Sequence, residues 1–126
     1  MRRRAAAAAV GLALLFSFWT PGAVARAYAP DVQAARSYAA KKVGPAQFKC
    51  LHALWERESR WNPRAHNRRS GAYGIPQALP GSKMRSAGAD WKTNPTTQVK
   101  WGLRYVSARY GTPCAALAHA QRTGWY

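Results

Sequence analysis

Two short stretches organise the sequence: LWERESRWNP at residues 54–63 and, eight residues further on, GAYGIPQ at residues 71–77. The first begins as an apolar helix and reaches the carboxylate of Glu58 just before Asn62-Pro63, where the residue preceding a proline resists helical backbone. The second supplies a Gly-Tyr-Gly turn and the amide of Gln77. Because the chain has only 4 acidic residues, a carboxylate in this setting is a candidate catalytic acid/base.

The helix that carries Glu58 is predicted to run from about Ala46 to Ser59. Its apolar residues recur at helical spacing on the face that also carries Glu58; they are Phe48, Leu51, Leu54 and Trp55. Unpaired carbonyls of the last turn and apolar neighbours should both raise the pKa of Glu58, as a general acid working near neutral pH requires. The alternative is an ion pair with Arg57, Arg60 or another base.

The N-terminus predicts a secretory signal peptide over residues 1–27. Three arginines follow Met1, a nearly unbroken apolar run extends from Ala5 to Trp19, and small-x-small cleavage sites end at Ala25 and Ala27. A membrane anchor is the alternative, but the run is short for a span and Pro21-Gly22 follows at once. We therefore expect a secreted or cell-wall protein that keeps no stable membrane anchor after cleavage.

Cleavage after Ala27 leaves one small domain, residues 28–126, whose core is marginal for its size. Its two cysteines, Cys50 and Cys114, are expected to pair in an oxidising compartment, which would stabilise the fold by roughly 4 kcal/mol. Two free buried thiols are the alternative. No metal site is expected, since the three histidines and two cysteines show no ligand spacing, and no cofactor motif is present.

The formal net charge is +16, and the predicted mature domain keeps +12 after losing four arginines. Such a charge suggests an anionic partner. Export argues against nucleic acid, so anionic cell-wall polymers fit better; the alternative is a basic surface that serves solubility alone. We expect a monomer.

Three further helices complete a mainly α prediction with a short hairpin or loop between residues 64 and 80. The first begins at Pro30-Asp31 and ends before Gly44, the next follows the Asn94-Pro95 cap as far as Gly111, and the last starts at Thr112-Pro113. Residues 82–87 are predicted to form a short helical turn. On the helix before Gly111, Trp101 and Tyr105 fall off the apolar stripe and are predicted to border a groove.

The paired motifs Glu58-Ser59-Arg60-Trp61-Asn62-Pro63 and Gly71-Ala72-Tyr73-Gly74-Ile75-Pro76-Gln77 resemble the Glu-Ser-x-x-Asn-Pro and Gly-x-x-Gly-Leu-Met-Gln pair of the soluble lytic transglycosylase family. The stretch from Ala78 to Tyr126 is similar to small secreted lysozyme-like domains of actinobacteria, related to aggregation-promoting factors. The resemblance covers roughly residues 47–126. The motifs are specific as a pair at this spacing, whereas either one alone is weak.

The resemblance implies a lysozyme-like fold with a peptidoglycan cleft. It implies that Glu58 is the catalytic acid/base and that Gln77 lines the cleft. Asn67, Tyr73 and His119 are further candidate substrate-binding residues. The sequence departs from the family where Ala-Tyr-Asn is usual and Ala118-His119-Ala120 stands here, so the resemblance does not extend to the family's Tyr and Asn at that place.

The expected reaction is cleavage of the MurNAc-GlcNAc β-1,4 bond of peptidoglycan glycan strands to give 1,6-anhydro-MurNAc ends. Conventional glycosidases use two carboxylates, but Glu56 points away from Glu58 and no motif places Asp31 or Asp90 beside it. Three alternatives stay open: a muramidase helped by Asp90 or by a positioned water, a non-catalytic wall-binding or aggregation-promoting module, and a cationic antimicrobial protein, for which no amphipathic basic helix is evident.

Overall fold

The computed structural model describes residues 27–126 and contains four α-helices in that range; the predicted signal peptide lies outside it except for Ala27. The elements in chain order are α1 (Pro30–Val43), α2 (Pro45–Ser59), a 3-10 helix (Gly81–Ala87), α3 (Pro95–Tyr110) and α4 (Pro113–Thr123). The mainly helical prediction is confirmed. None of the helices in this part of the chain has the length and apolarity needed to span a membrane.

Local sequence signals determine where the helices begin and end. Each α-helix begins with a proline at its first turn, where the missing N–H is not needed. The Asn94 side chain accepts hydrogen bonds from the N–H groups of Thr96 and Thr97, and Thr112 caps α4 in the same way through Ala115. Glycines with positive φ follow α1, α3 and α4.

The core lies where α1 packs against α2 and α3, and where α4 covers α2 and α3. Trp55 and Trp61 are its largest side chains, and their rings meet edge to face with centroids 5.2 Å apart. Gly102 lets α3 pass close to this pair, because a Cβ atom there would lie 2.6 Å from the Trp55 ring. Trp55, one turn before Glu58 on α2, is thereby packed against α3.

The last helix buries its small residues. The buried residues of α4 are Pro113, Ala116 and Ala120, whereas Cys114, Leu117 and Ala118 are half-buried and Gln121 is exposed. Small alanines face the core here because α4 packs against both α2 and α3, and close packing leaves room only for small side chains.

A disulfide between Cys50 and Cys114 joins the middle of α2 to the start of α4, with the two Cα atoms 4.9 Å apart. The predicted pairing is confirmed. The bridge closes a loop that contains all of the segment between the two helices, so it restricts the unfolded chain strongly; the chain-entropy estimate is roughly 4 kcal/mol.

The segment between α2 and the 3-10 helix is an irregular loop with two isolated antiparallel bridges, His66 with Tyr73 and Tyr73 with Ala78. This outcome agrees with the expectation of a short hairpin or loop. Pro76 and Pro80 keep the pairing short, since proline cannot donate to a strand ladder. The 3-10 helix then packs on α3 and closes this side of the molecule.

Candidate functional site

Glu58 is the second-last residue of α2, and the backbone that follows makes this end of the helix abrupt. Arg60 and Trp61 both adopt left-handed backbone, with φ of 54° and 56°. The Arg60 N–H still donates to the Glu56 carbonyl, so the helix is closed by a C-terminal turn rather than frayed. Glu58 therefore sits in the last turn, half-buried, at the edge of the loop that follows.

The carboxyl group of Glu58 is more easily protonated than that of an ordinary glutamate. Burial raises its pKa, and the positive charge of the adjacent Arg57 opposes the shift only in part. Within residues 27–126, Glu58 makes no hydrogen bond and no ion pair, so the alternative pairing with Arg57 or Arg60 is not formed. The geometry leaves the carboxyl available to an incoming ligand.

Ser59, next to Glu58, ties the end of α2 to the glycine-rich loop. Its hydroxyl is buried, lies 2.7 Å from the carbonyl oxygen of Ile75 and also reaches the carbonyl of Trp55 at 3.2 Å. Because a buried hydroxyl without a partner is costly, this contact fixes how far Ile75 stands from the helix end. The Glu-Ser pair thus combines a free carboxyl with an anchor for the loop.

Gln98 of α3 holds the same loop from the other side. Its amide oxygen accepts from the N–H of Ile75 at 2.9 Å, and its amide nitrogen donates to the carbonyls of Pro63 and Trp91 at 2.9 and 2.8 Å. The side chain is fully buried, and all these partners are backbone groups that would otherwise lack a bond.

The glycine at position 74 is required by this arrangement. Its φ is +78°, and a Cβ atom there would lie 2.7 Å from the Gln98 amide oxygen. Gly74 therefore allows the loop to approach α3 closely enough for Gln98 to bond Ile75.

Tyr126 connects the Glu58 region to the far end of the chain. Its hydroxyl donates to the carbonyl of Pro76 at 2.7 Å and accepts from the indole N–H of Trp55 at 2.9 Å. Burial raises the pKa of the Tyr126 phenol well above its ordinary value, and the Glu58 carboxylate adds to that rise. The phenol therefore stays neutral beside Glu58.

A small cleft of about 80 Å³ adjoins Tyr126 and is lined by Gln77, Lys83, Trp101 and Tyr105 among others. The rings of Trp101 and Tyr105 stack with centroids 5.1 Å apart, and Tyr105 meets Tyr126 edge to face at 5.8 Å. The prediction that Trp101 and Tyr105 border a groove is confirmed. Their ring faces offer apolar surface with polar groups close by, a suitable surface for a sugar ring.

The other three acidic residues have partners or positions that separate them from Glu58. Tyr28 donates a hydrogen bond to Glu56 at 3.1 Å, on the α1 side of α2. Asp90 accepts from Thr97 and Asn94, and these two bonds are the main reason that the pKa of Asp90 is lowered. Asp31 accepts from the N–H of Val32 in the first turn of α1. Among the described residues, Glu58 is thus the one acidic side chain at this site.

Gln77 lines the cleft, but its amide nitrogen is already engaged. It donates to the carbonyls of Ala65 and Gly74 at 3.1 and 2.9 Å, from a residue whose own backbone is left-handed, with φ of 53°. The side chain therefore stabilises the loop, and its amide oxygen is the atom that can serve a ligand.

Asn67 and Tyr73 also have structural contacts in the loop. The Asn67 side chain accepts from the N–H groups of Arg69 and Ser70, which shapes an exposed turn. Tyr73 donates its hydroxyl to the Lys92 carbonyl at 2.8 Å, and its ring packs against Trp91 and His66. These residues lie on the loop that borders the site, and neither contacts Glu58 in the described structure.

His119 belongs to an aromatic cluster at the end of α4. A ring nitrogen lies 2.9 Å from the carbonyl oxygen of Trp125, and the ring packs against Trp125 and Tyr110 with centroids 4.6 and 5.0 Å apart. Tyr110 in turn meets Tyr126 at 6.1 Å. His119 is therefore linked to the Glu58 region only through two further rings.

Tyr126 is the site residue that the sequence reasoning missed. The family resemblance extends to Tyr126 but implies no role for it. No periodicity signals its place, because it follows α4 and reaches Trp55 across a separation of 71 residues. Gln98 carried a stronger signal: it precedes Gly102 and Val106 by one and two helical turns, on the buried face of α3.

Together these features define a small, disulfide-bonded, mainly helical protein of the lysozyme-like class, with one available carboxyl at the end of a helix, near the Tyr126 phenol that lines an aromatic cleft. The chain belongs to the transglycosylase SLT domain family, which matches residues 34–120. The match contains both sequence motifs, all of α2 and α3, and most of α1 and α4. Neither the comparison with curated proteins nor that with solved structures finds a match.

No group of three or more His, Cys, Asp or Glu side chains among residues 27–126 is arranged to hold a metal ion. The family assignment supports transglycosylase-type action on peptidoglycan in general.

Proposed function

We propose that this protein is a lytic transglycosylase that cuts the MurNAc-GlcNAc β-1,4 bond of peptidoglycan, with Glu58 as its single acid/base. The observation that carries the proposal is the state of Glu58: a half-buried carboxyl with a raised pKa, no hydrogen bond or ion pair within residues 27–126, and a position close enough to Tyr126, which lines the aromatic cleft, to raise the pKa of that phenol. A neutral carboxyl that can donate its proton is what the first step of such a reaction needs.

In the first step, Glu58 donates its proton to the glycosidic oxygen as the bond from that oxygen to the MurNAc C1 breaks. The carbonyl oxygen of the sugar's own N-acetyl group stabilises the positive C1, which is a recognised exception to the two-carboxylate rule. Glu58 is now a carboxylate. It takes the proton of the 6-hydroxyl as that oxygen bonds to C1, and the product is a 1,6-anhydro ring formed without consuming water.

The surroundings of Glu58 support one-acid chemistry over a hydrolase with a second carboxylate. Asp90, the partner considered for a muramidase, has both carboxylate oxygens engaged with Thr97 and Asn94, and its pKa is lowered. Its observed role is to bind the first turn of α3. Glu56 bonds Tyr28 on another face of α2.

Residues that hold the loop would position the substrate relative to Glu58. Ser59 and Gln98 fix Ile75 from two sides, and Tyr126 fixes Pro76. The amide oxygen of Gln77 and the rings of Trp101 and Tyr105 would bind the glycan in the cleft, while exposed lysines and arginines would favour association with anionic wall polymers. Export through the N-terminal signal would bring the enzyme to this substrate.

The direct test is release of soluble fragments from purified peptidoglycan by the wild-type chain, Glu58→Gln and Glu56→Gln. General acid-base catalysis contributes about 10²–10⁴-fold, so Glu58→Gln should lose at least about a hundredfold in rate while still pelleting with the wall. Glu56→Gln removes the same charge two residues away and should keep most of the activity. Near wild-type release by Glu58→Gln would overturn the assignment.

A further inference from the structure

A second cavity, of about 620 Å³, lies away from Glu58, between the end of α1, the start of α2, α3 and the turn before α4. We name it the α1–α3 groove. Gln47 lines it near the start of α2, and the step of eleven residues from Gln47 to Glu58 corresponds to about 17 Å along a helix. The volume is in the range of ligand-binding cavities.

The rim of the α1–α3 groove is positively charged. Lys42, Lys100 and Arg104 line it, and the last two are one helical turn apart on α3. The ammonium groups of Lys42 and Lys100 both stand over the Tyr38 ring, at 5.4 and 5.5 Å from its centroid. None of the four acidic residues of the chain lines this cavity, so the groove presents an uncompensated positive field that favours an anion.

The floor of the groove is apolar, which excludes a simple inorganic anion as a well-fitting ligand. Val43 and Leu103 give this floor its partly exposed apolar surface, and the buried Val106 and Pro113 lie against it. A phosphate or sulfate ion would neutralise the rim but leave the floor in contact with water. A ligand that fits both the charged rim and the apolar floor must carry small apolar groups as well as negative charge.

Polar groups at one end of the groove match a peptide backbone better than an alkyl chain. Gln47 is held there, because its amide oxygen accepts from the N–H of Cys114 at 3.0 Å. The hydroxyls of Ser107 and Thr112 lie on the same lining. A peptide alternates hydrogen-bonding groups with side chains, whereas an alkyl chain would offer no partner to the Gln47 amide nitrogen or the Ser107 hydroxyl.

We propose that the α1–α3 groove binds a short acidic peptide with small apolar side chains. Its carboxylates would bind Lys42, Lys100 and Arg104, and its apolar side chains would cover Val43 and Leu103. In peptidoglycan this chemistry is that of the peptide stems that branch from the glycan, and this last identification rests on the proposed function. The enzyme would then hold a stem in the groove while Glu58 acts on a glycan about 17 Å away.

The test is an amide-resolved NMR titration of the full chain with acetyl-Ala-Glu-Ala-Ala bearing a free C-terminal carboxylate. The matched probe is acetyl-Ala-Gln-Ala-Ala amide, which has the same shape and no charge. We expect shifts at Leu103, Val106 and Thr112, and an affinity roughly tenfold higher for the charged peptide that falls as salt is added. Equal affinity for the two peptides, or shifts elsewhere only, would overturn the proposal.

Two double variants distinguish binding in this groove from a general attraction between the basic protein and the acidic peptide. Lys100→Gln with Arg104→Gln should weaken binding of the acidic peptide by roughly tenfold. Arg68→Gln with Arg85→Gln removes the same charge from exposed positions outside the lining and should leave the affinity nearly unchanged. Equal weakening by both double variants would contradict a specific site.

Hexyl phosphate tests the other class of ligand. Tighter binding of this amphiphile than of the acidic peptide, with shifts at the same amides, would replace the peptide assignment with a lipid-like anion. The titration is also independent of catalysis, since the peptide contains no glycosidic bond and Glu58→Gln should bind it as wild type does. Peptide binding by a chain that cuts no glycan would refute the proposed function alone, and cutting without peptide binding would refute the groove alone.

Discussion

The hydroxyl of Tyr126 donates a 2.7 Å hydrogen bond to the carbonyl oxygen of Pro76, and so joins the residue that follows α4 to the loop beside Glu58. The same hydroxyl accepts from Trp55, one turn before Glu58 on α2. One phenol thus sets the distance between the helix that carries the carboxyl and the loop that borders the cleft.

Replacing this phenol by Phe should loosen the site and destabilise the fold. Tyr126→Phe leaves the buried Trp55 N–H and the Pro76 carbonyl without a partner, which costs about 1–3 kcal/mol. Urea unfolding should show the loss, and fragment release should fall because the loop is no longer fixed. Tyr38→Phe is the control, since that hydroxyl makes no hydrogen bond within residues 27–126. Equal stability of the two variants would contradict this role.

Gln98 should be among the most sensitive polar positions of the domain. Gln98→Leu keeps much of the volume but removes one acceptor and two donated bonds to buried backbone, so the free energy of unfolding should fall by about 3 kcal/mol or more. The denaturant midpoint should move at a nearly constant slope. Gln121→Leu, at an exposed position on α4, should change the midpoint little; a similar small change for Gln98→Leu would refute the structural role.

Glu58→Gln should be more stable than wild type at neutral pH. Burial raises the pKa of Glu58 in the folded state, so the folded chain binds that proton more tightly than the unfolded chain, and wild-type stability falls as pH rises between the two pKa values. The penalty is fully present above the folded pKa and absent below the unfolded value near 4.5. Thermal unfolding at several pH values should show the advantage shrinking with acid; an advantage independent of pH would speak against this linkage.

The pH dependence of activity should report the same group. Because the first step needs protonated Glu58, the rate should fall as pH rises through the raised pKa of Glu58. Arg57 lowers that pKa, so Arg57→Gln should move the alkaline limb of the profile to higher pH. Arg64→Gln, at an exposed position in the loop, is the control. A limb that stays in place in Arg57→Gln would argue that another group controls it.

The position of Glu58 could be predicted from the sequence, because the residues that determine it are close to it along the chain. Glu58 follows Phe48, Leu51 and Leu54 on one helical face, and Asn62-Pro63 ends the helix. The half-burial of Glu58 in the last turn can therefore be predicted without reference to residues distant in sequence. The disulfide could also be predicted, since two cysteines give a single possible intramolecular pair and the predicted signal peptide favours an oxidising compartment.

The remainder depends on how separate elements pack. Tyr126 reaches Trp55 only because α4 lies across α2, and the α1–α3 groove exists only where three helices and a turn meet. The buried face of α4 is hard to predict for a related reason: alanines give weak periodicity, and contact with two helices decides which of them are buried. Gln77 was expected to face a ligand, and its amide nitrogen is engaged within the loop. It donates to the carbonyls of Ala65 and Gly74, which it can reach only because the backbone of residues 65–77 bends.

The central claim, a single acid/base that forms an anhydro ring, is tested most directly by mass spectrometry of fragments released from purified peptidoglycan, with Glu58→Gln as the control. The account predicts 1,6-anhydro-MurNAc ends, each lighter than a hydrolysed end by one water molecule, and their loss in Glu58→Gln. Reducing MurNAc ends from the wild-type chain would contradict it and would require a positioned water or a second carboxylate. Wall binding without release of fragments by either chain would make the protein a binding module.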